Sequence, residues 1–263
     1  MAAGQGVWKL AEEYQIPRPD KLRIFTEKES VLLQMEHTLP VTLSPETAPP
    51  VTIGYRFFAD GKLCISMDWD PAGEQMRSAV SVLPSIPEFG FSFRLNADFD
   101  RFSYYGKGPA ENYVDRNRGA KLGIYSSTAE GNMSPYLVPQ ECGNRTGVRW
   151  AEVTDRLGRG LRFCAGSMQN QPLSAGELCE EASSGRDGSG RPVMELSVLP
   201  YTPQELENAA HPYELPPVHY TNVRCTLMQM GVGGDDSWGA KTLPQYCLPA
   251  DRKLHFEVFL EGI

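Results

Sequence analysis

The 263-residue chain lacks the features that would place it in several large function classes. No apolar run approaches the length of a membrane span, so no membrane-embedded element is expected. The opening residues, Met1-Ala2-Ala3-Gly4-Gln5-Gly6-Val7, carry neither the basic start nor the apolar stretch of a secretory signal. There is no C-x-x-C pair. Six cysteines (Cys64, Cys142, Cys164, Cys179, Cys225, Cys247) are dispersed, and the four histidines show no zinc-ligand spacing with them. An even cysteine count can signal disulfides, but this length without a secretion signal favours free thiols. Clustered positive charge is also missing: the formal net charge is −8 and the basic residues are scattered. Arg116-Asn117-Arg118, beside Asp115, reads as a solvated turn rather than a phosphate-binding patch. These absences predict a cytoplasmic, metal-poor protein with no nucleic-acid or membrane partner.

Helical signal is scarce and strand signal abundant. Leu63, Ile65, Met67 and Trp69 alternate with polar or small neighbours, as do Phe89, Phe91, Phe93 and Leu95. Leu254, Phe256, Val258 and Leu260 repeat the pattern near the end of the chain. Period two means that one face of a sheet is buried. Asp60-Gly61 between Val51–Phe58 and Lys62–Trp69 predicts a tight hairpin, with both turn positions able to accept positive φ. The 21 prolines and 25 glycines punctuate many short strands, the pattern of an all-β sandwich or barrel. A single short helix is expected, with Thr202 as its cap, Pro203 in its first turn, Glu205 closing a capping box and Pro212 stopping it. The polar, glycine-rich stretch Cys179–Pro192 reads as a mobile loop insertion. No internal repeat or domain boundary is evident, so residues 1–263 are taken as one domain.

The segment Met230-Gly231-Val232-Gly233-Gly234-Asp235-Asp236-Ser237-Trp238-Gly239 sets a lone indole behind a glycine-rich turn and two carboxylates. It admits two readings: a tight turn with a half-buried core tryptophan, or a flat apolar wall for a sugar ring. Asp235 and Asp236 make a poor glycosidase pair. Adjacent residues in extended chain point to opposite faces, whereas catalytic carboxylates flank one bond about 5–10 Å apart. Capping within the loop is the better account of them. Glu141 lies in Val138-Pro139-Gln140-Glu141-Cys142-Gly143-Asn144-Arg145, where a buried Glu141–Arg145 contact, or local loop bonding, is expected before general-base work. His211, beside Pro212-Tyr213, reads as structural, and Cys142 has no visible base partner to make it a nucleophile. The tyrosines and asparagines of the loops at 104–113 and 134–136 can bind a sugar, plug the end of a sandwich or form an interface.

Tyr105-Gly106-x-Gly108-Pro109-x-Glu111-Asn112-Tyr113-x-Asp115-Arg116, then Pro135-Tyr136-x-x-Pro139-Gln140-Glu141-x-Gly143-Asn144-Arg145, resembles the C-terminal domain of bacterial β-galactosidases of glycoside hydrolase family two. That domain also occurs as the separate small chain of heterodimeric enzymes. His211-Pro212-Tyr213-Glu214-Leu215 and Met230–Gly239 follow in the matching order, so the resemblance covers at least Phe102 to the C-terminus. It implies a large antiparallel β-sandwich of the galactose-mutarotase-like, supersandwich type. It also implies that Trp238 reaches the substrate pocket as an apolar platform, with Gly233, Gly234, Asp235, Asp236 and Ser237 shaping the loop around it. The acid/base and nucleophilic carboxylates, and the activating magnesium and sodium ions, would lie on a (β/α)8-barrel outside this chain. The implied partners are a large chain, or N-terminal domains, and a galactoside.

Two departures stand out. Cys142 occupies the position at which the family commonly has Asn in Q-E-N-G-N-R. Ala2-Ala3-Gly4 resembles a W-x-x-A-G segment internal to the family's domain, so the sandwich is expected to lack its first strands. An open sheet would then leave unpaired edges. Rival readings are a free-standing aldose 1-epimerase, with Glu141 and His211 as the available base and acid, and a non-catalytic carbohydrate-binding or assembly module; fold analogy alone does not choose among them.

Overall fold

Alternating apolar residues in short runs can bury one face only if the runs pair side by side, and the computed structural model shows that they do so in two sheets. It describes Trp8 and residues 16–39, 50–166, 185–234 and 239–263. The larger sheet contains β1 (Ile16–Pro17), β2 (Arg23–Thr26), β3 (Ser30–Thr38), β4 (Pro50–Phe58) and β5 (Leu63–Trp69). After β6 (Glu88–Asn96), which belongs to the smaller sheet, the large sheet continues with β7 (Arg101–Gly108) and β8 (Lys121–Thr128). Next come β9 (Arg145–Val148), β10 (Trp150–Thr154), β11 (Gly160–Ala165), β12 (Met194–Leu199), β13 (Tyr220–Gln229) and β14 (Leu254–Gly262). The large sheet runs β1-β3-β4-β5-β14-β11-β10-β7-β8, with β2 also on β3, and the small one runs β6-β13-β12-β9. All these pairings are antiparallel. The fold is an all-β sandwich, as the alternation predicted.

Side chains from the two sheets meet across the middle. Phe91 of β6 lies 5.9 Å from Phe256 of β14, and Phe93 lies 5.5 Å from Phe163 of β11. Leu254, Phe256, Val258 and Leu260 are all buried on the inner face of β14. Burying each such side chain stabilises the fold by roughly 1.5–3 kcal/mol. Trp69 closes one end of the core, its indole N–H donating to Ala250 O at 2.8 Å. Trp8 packs edge-on against it at 6.0 Å.

Local structure departs from expectation in two places. The hairpin between β4 and β5 is a three-residue loop, Ala59–Gly61, in which only Gly61 has positive φ (+86°). Asp60 does not adopt a positive φ and accepts the Lys62 N–H at 3.2 Å. A type I turn followed by a left-handed glycine satisfies the strand twist without a second positive φ. Among the described residues there is also a second α-helix of more than one turn. The first, α1 (Glu74–Ser81), follows Gly73, which offers no capping side chain, and it buries only Val80. With neither cap nor apolar stripe it leaves little trace in the sequence. The expected helix is α2 (Pro203–Asn208), and its Thr202–Glu205 capping box is fully formed.

The described part of the 179–192 segment closes as a turn in which Asp187 Oδ1 accepts from Ser189 N–H and Arg191 N–H. Arg149 donates to Asp187 Oδ2 at 2.6 Å and ties that turn to the body of the protein. Among the described residues no helix is long and apolar enough to cross a membrane.

Candidate functional site

The glycine-rich segment leaves the small sheet at the end of β13, and Asp115 is its anchor. Asp115 sits in the turn Tyr113–Arg116, closed by the Arg116 N–H on Tyr113 O at 2.8 Å. Its Oδ2 accepts the Gly233 N–H at 2.8 Å. Behind that contact, Met230 N–H donates to Pro87 O at 2.8 Å and Gly231 N–H to Tyr246 O at 2.9 Å. The Thr242 hydroxyl donates to Gly231 O at 2.7 Å. A Cβ on Gly231 would lie 2.6 Å from the Asp115 carboxyl, so a residue without a side chain is needed for the carboxylate to cross the strand here. Gly233 and Gly234 then turn with φ of +66° and +91°.

The backbone is thus fixed up to Gly234. Asp235, Asp236, Ser237 and Trp238 lie outside the described residues. The solvated-turn reading of Arg116-Asn117-Arg118 holds for its two arginines and does not extend to Asp115 beside them. Arg116 and Arg118 are exposed, but Asp115 is half-buried against the glycine segment. No sequence spacing marks this contact, because it joins residues 118 positions apart.

A second constellation lies on the face of the small sheet turned away from the core. Val223, Cys225 and Leu227 of β13 and Met194, Leu196 and Val198 of β12 join the core. Their alternates, Asn222, Arg224 and Thr226 with Glu195 and Ser197, are polar yet buried. Loop residues Tyr113, Glu141 and Asn144 supply partners that close over them. Arg224 Nη1 contacts Glu88 Oε2 at 2.6 Å, and Nη2 pairs with Glu141 Oε1. Burial alone would lower the Arg224 pKa, but the two carboxylates raise it, so the guanidinium keeps its charge. Tyr113 donates its hydroxyl to Glu141 Oε2 at 2.9 Å, and burial followed by the Glu141 charge pushes its own pKa far up.

The expected Glu141–Arg145 contact is therefore wrong. Glu141 is taken by Arg224 and Tyr113, whereas Arg145 donates to Tyr104 Oη, Asn132 Oδ1 and the carbonyls of Gly143 and Asn144. Glu141 reaches Arg224 of β13 while Arg145, four residues on, reaches Tyr104 of β7, which spacing within one motif does not reveal.

Glu195 is the most perturbed carboxyl of this layer. It is enclosed, and Oε2 accepts from Asn144 Nδ2 at 2.7 Å and Gln229 N–H at 3.1 Å. Burial, offset in part by those donors and reinforced by Glu88 and Glu141, raises its pKa to about 8. It is held neutral at physiological pH inside a closed layer.

Glu111 ties the loops together. It accepts from Ser134 Oγ and Tyr136 Oη at 2.5 Å each, from Gly143 N–H at 2.9 Å and from Arg116 Nη2 at 2.7 Å. Burial acts to raise its pKa, but these donors hold it below the usual carboxylate range. Asn112 accepts from Thr146 N–H and Oγ1 and donates to the carbonyls of Lys107 and Ala110. With Asn112 and Tyr113 almost completely buried, the structural reading of these loop residues prevails over sugar stacking.

Cys142 is buried and burial pushes its thiol to about 11, the opposite of an activated nucleophile. His211 is exposed and stacks on Tyr213 at 5.2 Å. No hydrogen bond joins it to Glu141 among the described residues. Among those residues, too, no three of His, Cys, Asp and Glu gather as a metal cluster, and Cys64, Cys142, Cys164, Cys225 and Cys247 are free thiols.

The loops that build both constellations are the segments that carried the resemblance, and a direct comparison agrees. The family model described as the β-galactosidase small chain matches residues 3–260. The chain belongs to the β-galactosidase small-chain family. It is 38% identical over 249 residues to a β-galactosidase of Priestia megaterium, covering 93% of this chain and 21% of that protein. A β-galactosidase of Halalkalibacterium halodurans is 40% identical over 206 residues, covering 78% of this chain and 18% of its own length. The β-galactosidase small subunit of Latilactobacillus sakei is 32% identical over 235 residues, covering 84% of this chain and 63% of that one. The chain thus spans about a fifth of the length of the first two relatives.

Proposed function

We propose that this chain serves as the small-chain part of a β-galactosidase that hydrolyses terminal β-D-galactosides such as lactose. It lends Trp238 to the pocket as an apolar platform and provides an interface to a catalytic barrel. The observation that carries this reading is the match over residues 3–260, joined to a glycine segment whose stem is clamped by Asp115, itself part of the matching loop motif. An indole face buries the C–H surface of a sugar ring while polar groups elsewhere read the hydroxyls.

Hydrolysis with retention needs an acid/base and a nucleophilic carboxylate about 5 Å apart on either side of the bond. Glu141 is committed to Arg224 and Tyr113, and Glu195 is enclosed and neutral. We therefore assign both catalytic carboxylates, with the magnesium and sodium ions, to the barrel-bearing partner, and expect the isolated chain to be inactive. Exposed Leu122 and Ile124 on β8, which ends the large sheet, and exposed Leu137 and Val138 suit an interface to that partner. The same commitment of Glu141, and its lack of contact with His211, weighs against the epimerase reading.

The test is reconstitution with a barrel-bearing large chain of a related enzyme. The mixture should hydrolyse a nitrophenyl galactoside, and Trp238→Ala should raise KM by on the order of tenfold or more with association intact. A measurable rate from this chain alone, free of host enzyme, refutes the division of labour. Galactose binding that survives Trp238→Ala unchanged favours a carbohydrate-binding module instead.

A further inference from the structure

The cleft beside Arg145 plays no part in the function proposed above, and its chemistry points elsewhere. About 370 Å³ in volume, it lies between β7, the terminal strand β8 and the loops at 109–111 and 131–135. Arg145 and Tyr104, both almost completely buried, line it, with Glu111, Tyr125, Ser126 and Asn132. A guanidinium carries five N–H groups. In Arg145 the Nε–H goes to Tyr104 Oη at 2.9 Å, Nη1 donates to two carbonyls, and Nη2 donates to Asn132 Oδ1 at 2.6 Å.

One N–H on Nη2 is left over, and all four acceptors are neutral. Arg224 on the same sheet has two carboxylates, but no carboxylate pairs with Arg145 among the described residues. Tyr104 is in a matching state. Its oxygen accepts from Arg145, its own hydrogen has no acceptor among the described residues, and burial raises its pKa so that it keeps that hydrogen. Glu111, the carboxylate in the wall, does not supply the missing charge, being held by Arg116, Ser134, Tyr136 and the Gly143 N–H. A buried cation without a counter-charge, beside a second uncommitted donor, is an unfavourable arrangement that an anion entering the cleft relieves.

We propose that this cleft binds a small carboxylate, of up to sugar-acid size, whose oxygens accept from the remaining Arg145 N–H and the Tyr104 O–H. Carboxylate is favoured over a neutral sugar because the site offers two uncommitted donors, one of them on a guanidinium that no carboxylate pairs, while the Glu111 charge is already offset by Arg116. The volume admits a six-carbon acid and excludes a long chain.

Titration calorimetry on the full chain tests this with D-galacturonate against its neutral parent D-galactose, and with acetate as the minimal probe. Galacturonate should saturate with a Kd on the order of 1 mM, acetate should compete with it, and galactose should bind at least about tenfold more weakly. Tyr104→Phe keeps the ring and removes only the O–H, and should weaken galacturonate about tenfold. Arg145 is too embedded to replace safely. Ser127→Glu, on the same face of β8 as Tyr125 and at a half-buried position of the cleft, should instead weaken galacturonate by like-charge repulsion and leave thermal unfolding unchanged. Equal binding of galactose and galacturonate, absence of saturation, or unchanged galacturonate affinity in both variants overturns the assignment.

Discussion

Replacing Glu195 with glutamine isolates the energetic consequence of a carboxyl sealed beneath the loops. In the folded chain its pKa stands at about 8, against 4.5 for the free side chain. The folded state therefore holds a proton that the unfolded state has released wherever the pH lies between those values. Stability then falls as pH rises, by about 1.4 kcal/mol per pH unit for this single group. The contribution is fully present below pH 4.5, is lost progressively up to about pH 8 and is flat above it.

Glutamine keeps an oxygen to accept from Asn144 Nδ2 and the Gln229 N–H, and it cannot ionise. Between pH 6 and pH 8 the wild-type chain should lose about 2 kcal/mol relative to Glu195→Gln. Urea unfolding at pH 5, 6, 7 and 8, followed by tryptophan fluorescence, measures the gap, which should open steadily with pH. Parallel curves for the two proteins would mean that Glu195 is ionised in the fold and that the burial argument is wrong. Carboxylates with lowered pKa values, such as Glu111 and Glu205, act in the opposite direction but only at acid pH, so they leave this window clear.

Other perturbations probe other parts of the account. Arg224→Ala leaves the half-buried Glu88 and Glu141 without their shared cation, and should destabilise by about 3 kcal/mol in chemical denaturation; a loss under 1 kcal/mol would show that water reaches the layer. Thr202→Ala removes the hydroxyl half of the capping box and should cost about 1 kcal/mol, read as a small drop in thermal midpoint. Gly231→Ala drives a methyl into the Asp115 carboxyl and should destabilise by roughly 1–3 kcal/mol, whereas Gly234→Ala, with open space around it, should show only the strain of its positive φ. If Gly231→Ala is silent in unfolding experiments, the clamp between Asp115 and the glycine segment is not formed in solution.

Residue order alone determined the class of this fold. Alternation in β5, β6 and β14, the Asp60-Gly61 turn and the capping box at Thr202 are local signals, because each depends on neighbours within a few residues whose periodicity and turn chemistry are written in the chain. The ordered loop motifs likewise carry the family. What tertiary structure decided are the long-range pairings. Glu141 pairs with Arg224, 83 positions away, rather than with Arg145, and Asp115 reaches from its turn to hold Gly233. Helix α1 escaped notice for lack of a cap or stripe.

The physical reason is the same in each case. A charged side chain seeks whichever partner the packed sheets bring within reach, and burial makes that choice binding. Which strands become neighbours depends on the closure of two sheets over one core, a property of the whole chain that no single motif carries.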